Sequence, residues 1–200
     1  MSSDKINIIP LPRPRTQGPM SLEEALANRR SIRKYAIGEL TPEQISQLLW
    51  SAQGITGGTP SKRTAPSAGA RHPLELYLCR DDGVWRYKIE RHTLVQHIGE
   101  DVRDKLGEAA WKQTFISNAP CVFAITANYT RSTERYGERG RVRYVPMDAG
   151  HAVQNMLLQA VAMGLGAVCV AAFDDFKIKQ ILQVSAIEDV LYLIPVGRTT

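Results

Sequence analysis

Apolar residues recur along the chain with two periods, and the switch from one to the other marks the elements. The longest helical stretch is PMDAGHAVQNMLLQAVAMGLG, from Pro146 to Gly166. Pro146 suits a first helical position, Asp148 the positive end of the dipole, and Gly164 and Gly166 the end of a helix. Ala149, Ala152, Val153, Met156, Leu157, Ala160, Val161 and Met163 cover more than one stripe, which predicts a buried core helix. His151, Gln154, Asn155 and Gln159 interrupt the run too often for a membrane span. The small residues Ala149, Ala152, Ala160 and Gly164 offer a face on which a second subunit could pack closely.

Two shorter helices are marked by their caps. Ser21 answered by Glu24 forms a capping box ahead of Leu22, Ala25 and Leu26. Thr41, Pro42 and Glu43 open the second, with Ile45, Leu48, Leu49 and Ala52 facing inward and Gly54 as the stop. Leu74, Leu76 and Leu78 alternate with Glu75 and Tyr77 as a strand, and Asp81-Asp82-Gly83 turns it into a hairpin partner, VWRYKIE. Residues 99 to 118 read as helix, and 121 to 126 as a short buried strand. The charged segment 131 to 143 reads as mobile. A second buried strand follows at 167 to 172, a helix at 174 to 182 and a third buried strand at 190 to 196. This mixture predicts an α+β domain over residues 21–200, a small central sheet flanked by helices around the long one. Residues 1–20, rich in Pro and Arg, read as a flexible arm.

Composition narrows the chemistry. Two hundred residues, 44% hydrophobic and 22% charged, suit one compact domain. The N-terminus lacks a basic segment followed by an apolar core, so a cytoplasmic setting is expected. Cys79, Cys121 and Cys169 sit among apolar neighbours, as buried thiols in a reducing compartment would. His72, His92, His97 and His151 are scattered, so no metal site is expected.

A net charge of +5 and a pI near 9.2 favour an anionic partner. The arginines crowd into residues 29 to 33, 63 to 71 and 131 to 143, without the interleaved aromatics that single-stranded nucleic acid would stack on. A basic nucleic-acid-binding module is therefore supported by charge alone. Arg29, Arg30, Arg33 and Lys34 surround Ser31, a donor set fitted to a phosphomonoester; the alternative is a solvated basic helix end. The loop from Gly54 to Thr64 lacks the Gly-Lys-Ser/Thr ending of a triphosphate loop. Gly164-Leu-Gly166 ends a helix before a strand, the reverse of a dinucleotide fingerprint. Small residues from Ala65 to Ala70, just before a strand, either let a flat ligand approach the backbone or form a plain turn.

Four pieces in order, RRSIRKY at 29 to 35, APSAGARHPLELYL at 65 to 78, DAGHAVQNMLLQAVAMGLGAVCVAAF at 148 to 173 and PVGR at 195 to 198, resemble the FMN-dependent nitroreductase family, and within it the SagB-type dehydrogenase branch. The resemblance implies a domain-entwined homodimer with FMN at the subunit interface. Arg29, Arg30, Ser31 and Arg33 would hold the flavin phosphate and ribityl chain, with Arg198 assisting. Pro66, Ser67, Ala68, Gly69 and Ala70 would reach the flavin from the other subunit, and the backbone of Ala171 and Ala172 would face N5. Many relatives carry Asn where Ala70 stands, which points to Arg71 or His72 as a replacement contact. SagB-like azoline dehydrogenases use a Lys-Tyr pair where this chain has Arg135-Tyr136 and Arg143-Tyr144, so Tyr136 and Tyr144 are the candidate catalytic side chains. An Arg does not readily give up its proton, which weighs against azoline oxidation. The implied activity is hydride transfer through the flavin, from NAD(P)H to an electron-poor small molecule such as a nitroaromatic or quinone; oxidation of a peptide azoline is the alternative.

Overall fold

The computed structural model describes residues 7–200; the first six residues of the expected arm lie outside them. Seven strands form one antiparallel sheet: β1 (Ile8–Pro10), β2 (Leu74–Arg80), β3 (Gly83–Lys88), β4 (Thr93–Ile98), β5 (Cys121–Asn128), β6 (Leu165–Ala167) and β7 (Glu188–Arg198). Their order across the sheet is β1-β4-β3-β2-β5-β7-β6. The hairpin at Asp81-Asp82 joins β2 and β3, with Arg80 opposite Gly83.

Both faces of this sheet are covered, and the pleat sorts side chains between two cores. Leu74, Leu76 and Leu78 of β2, with Phe123 and Ile125 of β5, meet α2 (Pro42–Gln53) and α6 (Val145–Ala162) on one side. Tyr77, Cys79, Val122 and Ala124 point to the other, against α3 (Arg103–Ala109), α4 (Thr114–Ser117) and α7 (Asp175–Ile181). The α+β class and the long core helix thus agree with the expectation, as do the capping box at Ser21 ahead of α1 (Leu22–Asn28) and the cap at Thr41 ahead of α2, where Gln44 completes a second box that was not expected.

Several expectations are corrected. The sheet is larger than expected, because Thr93–Ile98 forms β4 and the arm supplies β1, whose Ile8 to Pro10 pair with Val95 to Thr93. Residues 99 to 118 are two short helices, since Trp111 and Lys112 take left-handed backbone and fold α4 back onto α3. The segment 131 to 143 is helical: α5 (Thr130–Arg139) runs through a π-helical turn, Gly140–Tyr144, into α6. Its charges are spent on contacts, Arg71 with Glu134 and Arg141 over Tyr129 among them. Residues 167 to 172 leave the sheet after Ala167 apart from one bridge, Val170 to Leu193, so Cys169, Ala171 and Ala172 are exposed. Cys79 and Cys121 are buried thiols; burial pushes Cys121 up to about 12. The small residues Ala149, Ala152 and Ala160 are fully buried in the chain's own core, so they offer no face to a second subunit. The outward face of α6 carries Met147, His151, Gln154 and Leu158 instead.

Candidate active site

Residues 29 to 36 run as an extended strap along the sheet edge formed by β6 and β7. Ile32 N–H donates to Ala167 O at 3.0 Å, and Ala36 N–H donates to Arg198 O at 2.9 Å. Two glycines let the strap lie flat. A Cβ on Gly166 would sit 2.5 Å from Ile32 Cγ2, and one on Gly197 would sit 2.8 Å from Tyr35 Cβ, Cγ and Cδ1. The Tyr35 hydroxyl then donates to Ile32 O at 3.0 Å, with Pro195 O at 3.3 Å.

The strap carries Arg29, Arg30, Ser31 and Arg33, and its far end at Ala36 pairs with Arg198. Arg30 donates to Ala27 O and Arg29 O, Arg33 lies over the Phe115 ring at 5.6 Å, and Arg198 Nε reaches Glu39 O at 3.4 Å. Among the described residues, no carboxylate pairs with any of these four arginines. The reading as a solvated basic helix end is met by Arg29, which caps α1, and by exposed Arg30, which donates to Ala27 O in its last turn, whereas Ser31 to Ala36 run on beyond the helix as the strap.

Ala171 and Ala172 follow on the same edge. Ala172 O accepts from Gln113 Nε2 at 2.9 Å, and the N–H groups of both alanines make no hydrogen bond within the described residues. Ala171 opens onto a cleft of about 620 Å3 lined also by Tyr129, Phe173, Phe176 and Asp189. The sequence reading missed these neighbours, which come from the end of β5, α7 and β7.

A second group forms at the first turn of α6. The Ser67 hydroxyl donates to Asp148 Oδ2 at 2.6 Å and accepts His72 N–H at 2.9 Å. Asp148 is buried, and burial raises its pKa, opposed by the Ser67 hydroxyl and the Ala68 N–H. Read from sequence as a dipole residue, Asp148 is in fact the anchor of the segment Pro66–Ala70. Exposed Pro66 leads into it, and Ala68–Ala70 form a 3-10 turn with Gly69 at φ +57° and Ala70 at +51°. An Asn at position 70 would tolerate that left-handed backbone better than Ala does. Arg71 and His72 are committed elsewhere, Arg71 to Arg131 O and Glu134, and His72 to Ser61 O.

Gly69 has no Cβ because the Tyr136 hydroxyl occupies that space, with Arg135 Nη1 3.4 Å away. The Tyr136 ring stands edge-on to Tyr144, centroids 5.0 Å apart, and Arg139 Nε donates to the Tyr144 hydroxyl at 2.9 Å. The two candidate tyrosines therefore meet over the Ser67 turn, but not beside the strap. Ser67 is docked on the first turn of α6, whereas the strap is docked on the strands beyond its C-terminal end. The intervening helix is 18 residues, about 27 Å, long. No hydrogen bond or ion pair among the described residues joins the two groups.

This arrangement has known counterparts. The description of the nitroreductase family matches residues 26–198. A protein of Methanocaldococcus jannaschii, named as a nitroreductase, is 46% identical over 185 residues, 90% of this chain and 91% of its own. The trifolitoxin-processing protein TfxB of Rhizobium leguminosarum bv. trifolii is 31% identical over 69% of this chain and 37% of its own. The crystal structure of a protein of Ralstonia eutropha JMP134, also named as a nitroreductase, superposes with a TM-score of 0.87 at 28% identity, covering 96% of this chain and 90% of that one. The NADPH:FMN oxidoreductase of Vibrio harveyi, solved with NAD+, shares the fold at a TM-score of 0.67 and 19% identity, over 88% of this chain and 68% of its own. On the family match and the archaeal relative together, this chain belongs to the nitroreductase family.

Proposed function

We propose that this member of the family is a homodimeric FMN-dependent oxidoreductase that takes hydride from NAD(P)H and delivers it to an electron-poor small molecule such as a nitroaromatic or quinone. The observation that carries the reading is the strap: arginines without carboxylate partners surround an exposed hydroxyl, beside a backbone with unspent N–H groups and no bulky side chains. That donor set fits a phosphomonoester joined to a flat ring. Arg29, Arg30, Ser31, Arg33 and Arg198 would hold the phosphate and ribityl chain, and Ala171 and Ala172 would donate from the main chain at the ring edge. When bound, FMN supplies the hydride acceptor and donor at N5.

The separation of the two residue groups along α6 supports a site shared between subunits. Pro66, Ser67, Ala68, Gly69 and Ala70 of a second copy would then cover the ring, with Tyr136 and Tyr144 closing that wall against water. The NADPH:FMN oxidoreductase of shared fold lends support to both FMN and a nicotinamide donor. No helix among the described residues is long and apolar enough to cross a membrane. Buried, unpaired Cys79 and Cys121 fit a reducing compartment such as the cytoplasm.

The test is the colour and cofactor of the purified protein. We expect a yellow protein releasing FMN on denaturation, and NADH or NADPH oxidation with quinone or nitroaromatic acceptors. FAD on chromatography, or no flavin after reconstitution with excess FMN, overturns the reading. The SagB-type alternative, oxidation of a peptide azoline, draws on the match to the trifolitoxin-processing protein. It predicts flavin reduction by an azoline peptide without nicotinamide. The Arg135-Tyr136 pair at Gly69 is poorly suited to it, since a guanidinium is a poor proton acceptor or donor at neutral pH.

A further inference from the structure

Next to the segment Pro66–Ala70, the chain builds a second cationic site from parts far apart in sequence. The loop before β2, the ends of β2 and β3 and the start of α5 wall a cleft of about 510 Å3, a size that holds a small molecule. Five cations line it, Arg63, Arg71, Arg86, Lys88 and Arg131. Glu75 and Glu90 share the lining, and Glu134 and Glu188 pair with Arg71 and Arg86 from beside it, which leaves one positive charge in excess.

A network buried in the sheet fixes the floor. Glu75, 8% exposed, has one oxygen 3.1 Å from Arg86 Nη2 and the other hydrogen-bonded by Arg131 Nη2. Arg86 also reaches Glu188 at 3.5 Å, and Glu188 is held in turn by the hydroxyls of Tyr77 and Thr126. Glu75 is thereby spent on two guanidiniums that cannot move away.

Arg63 and Lys88 are left over. Arg63 donates to neutral oxygens only, Pro60 O at 3.1 Å and Gln53 Oε1 at 3.2 Å. Lys88 makes no ion pair and no side-chain hydrogen bond among the described residues. Burial, then the nearby Arg86, holds the Lys88 ammonium below its ordinary pKa, and burial does the same to Arg63, with Arg131 adding to it. Two buried nitrogens of the lining, Arg86 Nε and His72 Nδ1, have no partner. Cations half removed from water and crowded together are unfavourable until an anion joins them.

We propose that this cleft binds the phosphate group of a small phosphorylated molecule, with Arg63 and Lys88 as its contacts and Arg86 and Arg131 as the fixed floor. A monocarboxylate would match one of the two cations left without a carboxylate contact, whereas a phosphomonoester carries nearly two charges and accepts from guanidinium forks and an ammonium together. Within one chain the site is separate from the strap, which lies beyond β5 on the far edge of the sheet, and it does not rest on the flavin reading.

Calorimetric titration of the full chain, with the strap saturated by FMN and ionic strength held constant with chloride, tests it. The probes are inorganic phosphate, pyrophosphate and citrate. We expect saturable binding of phosphate and pyrophosphate at one site per chain, weakened at least tenfold by Arg63→Gln and by Lys88→Ala. Arg13→Ala, on the N-terminal segment, leaves it within twofold, and thermal melts of each variant report that the fold is intact. A Lys88→Gln variant replaces Lys88→Ala if the latter melts early. Absence of saturable binding, binding that the Arg63 and Lys88 variants leave within twofold, or citrate binding tighter than pyrophosphate overturns the proposal.

Discussion

Replacing Gly197 by Ala tests whether the strap is held by close approach. The new Cβ would stand 2.8 Å from three atoms of Tyr35, well inside the 3.5–4.0 Å at which carbon atoms attract. Those atoms include Tyr35 Cβ and Cγ, so a rotamer change cannot clear them, and the strap itself has to lift. Overpacking of this kind costs about 1–3 kcal/mol, and losing the Tyr35 hydroxyl's bond to Ile32 O adds about 0.5–1.5 kcal/mol. A loss of about 2–4 kcal/mol is expected, which for a chain of this size lowers Tm by about 5–15 °C. Urea melts should show a lower midpoint with an unchanged slope. The decisive arm is a double-mutant cycle: Tyr35→Gly removes Cβ, Cγ and Cδ1 together, so adding Gly197→Ala to it should cost almost nothing further. FMN affinity should fall in Gly197→Ala as the arginines shift with the strap. A Gly197→Ala protein within about 0.5 kcal/mol of the wild type, or a strictly additive cycle, would refute the reasoning.

Three further outcomes are expected. Arg33→Glu should weaken FMN binding about tenfold to a hundredfold, the range of one lost charge-assisted hydrogen bond, while Arg13→Glu leaves it nearly unchanged; equal losses in a fluorescence titration would remove the phosphate assignment. Asp148 has a folded pKa raised by burial, so the folded state holds its proton more tightly, and stability should fall as pH climbs from the unfolded value through the folded one and then level off. Asp148→Asn should flatten that slope in urea melts across the same range, and an unchanged slope would count against it. Leu158→Arg, on the outward face of α6, should lower dimerisation and FMN affinity in parallel in sedimentation with and without FMN; a monomer binding FMN as tightly as the wild type would sink the shared-site proposal.

What the sequence announced were features written in neighbouring residues. Ser21 with Glu24 sits three apart and forms its capping box, and Thr41 ahead of Pro42 and Glu43 caps its helix. The alternation of β2 was visible because its two faces differ in residue type. β4 was missed because TLVQHI mixes polar and apolar positions on both faces, and β1 because three residues ending in Pro make no pattern. The segment 131 to 143 looked mobile by charge, yet its cations find partners on other elements, which tertiary structure alone supplies. The strap arginines were legible as one cluster. The cleft of Arg63, Arg86, Lys88 and Arg131 was not, since its cations come from three segments that only the topology brings together. Ser67 and Asp148, 81 positions apart, were likewise seen separately but not as a pair.

The place of β7 in the sheet constrains how the protein is made. This strand ends at Arg198 yet lies inside the sheet, between β5 and β6, and it also receives the strap through Ala36. Until Arg198 has left the ribosome, β5 has an open edge, β6 has no strand to pair with, and the strap near the N-terminus has nowhere to dock. At about 5–20 residues per second, the 70 residues from Asn128 to Arg198 mean a wait of roughly 4–14 s with a long apolar edge bare, including Phe123 and Ile125. The nascent chain is then a substrate for chaperones over that stretch of its synthesis, and pairing between neighbouring nascent chains on one message becomes a hazard. Slowed translation of the codons for residues 129 to 198 should therefore reduce soluble yield far more than slowing over the codons for residues 1 to 70.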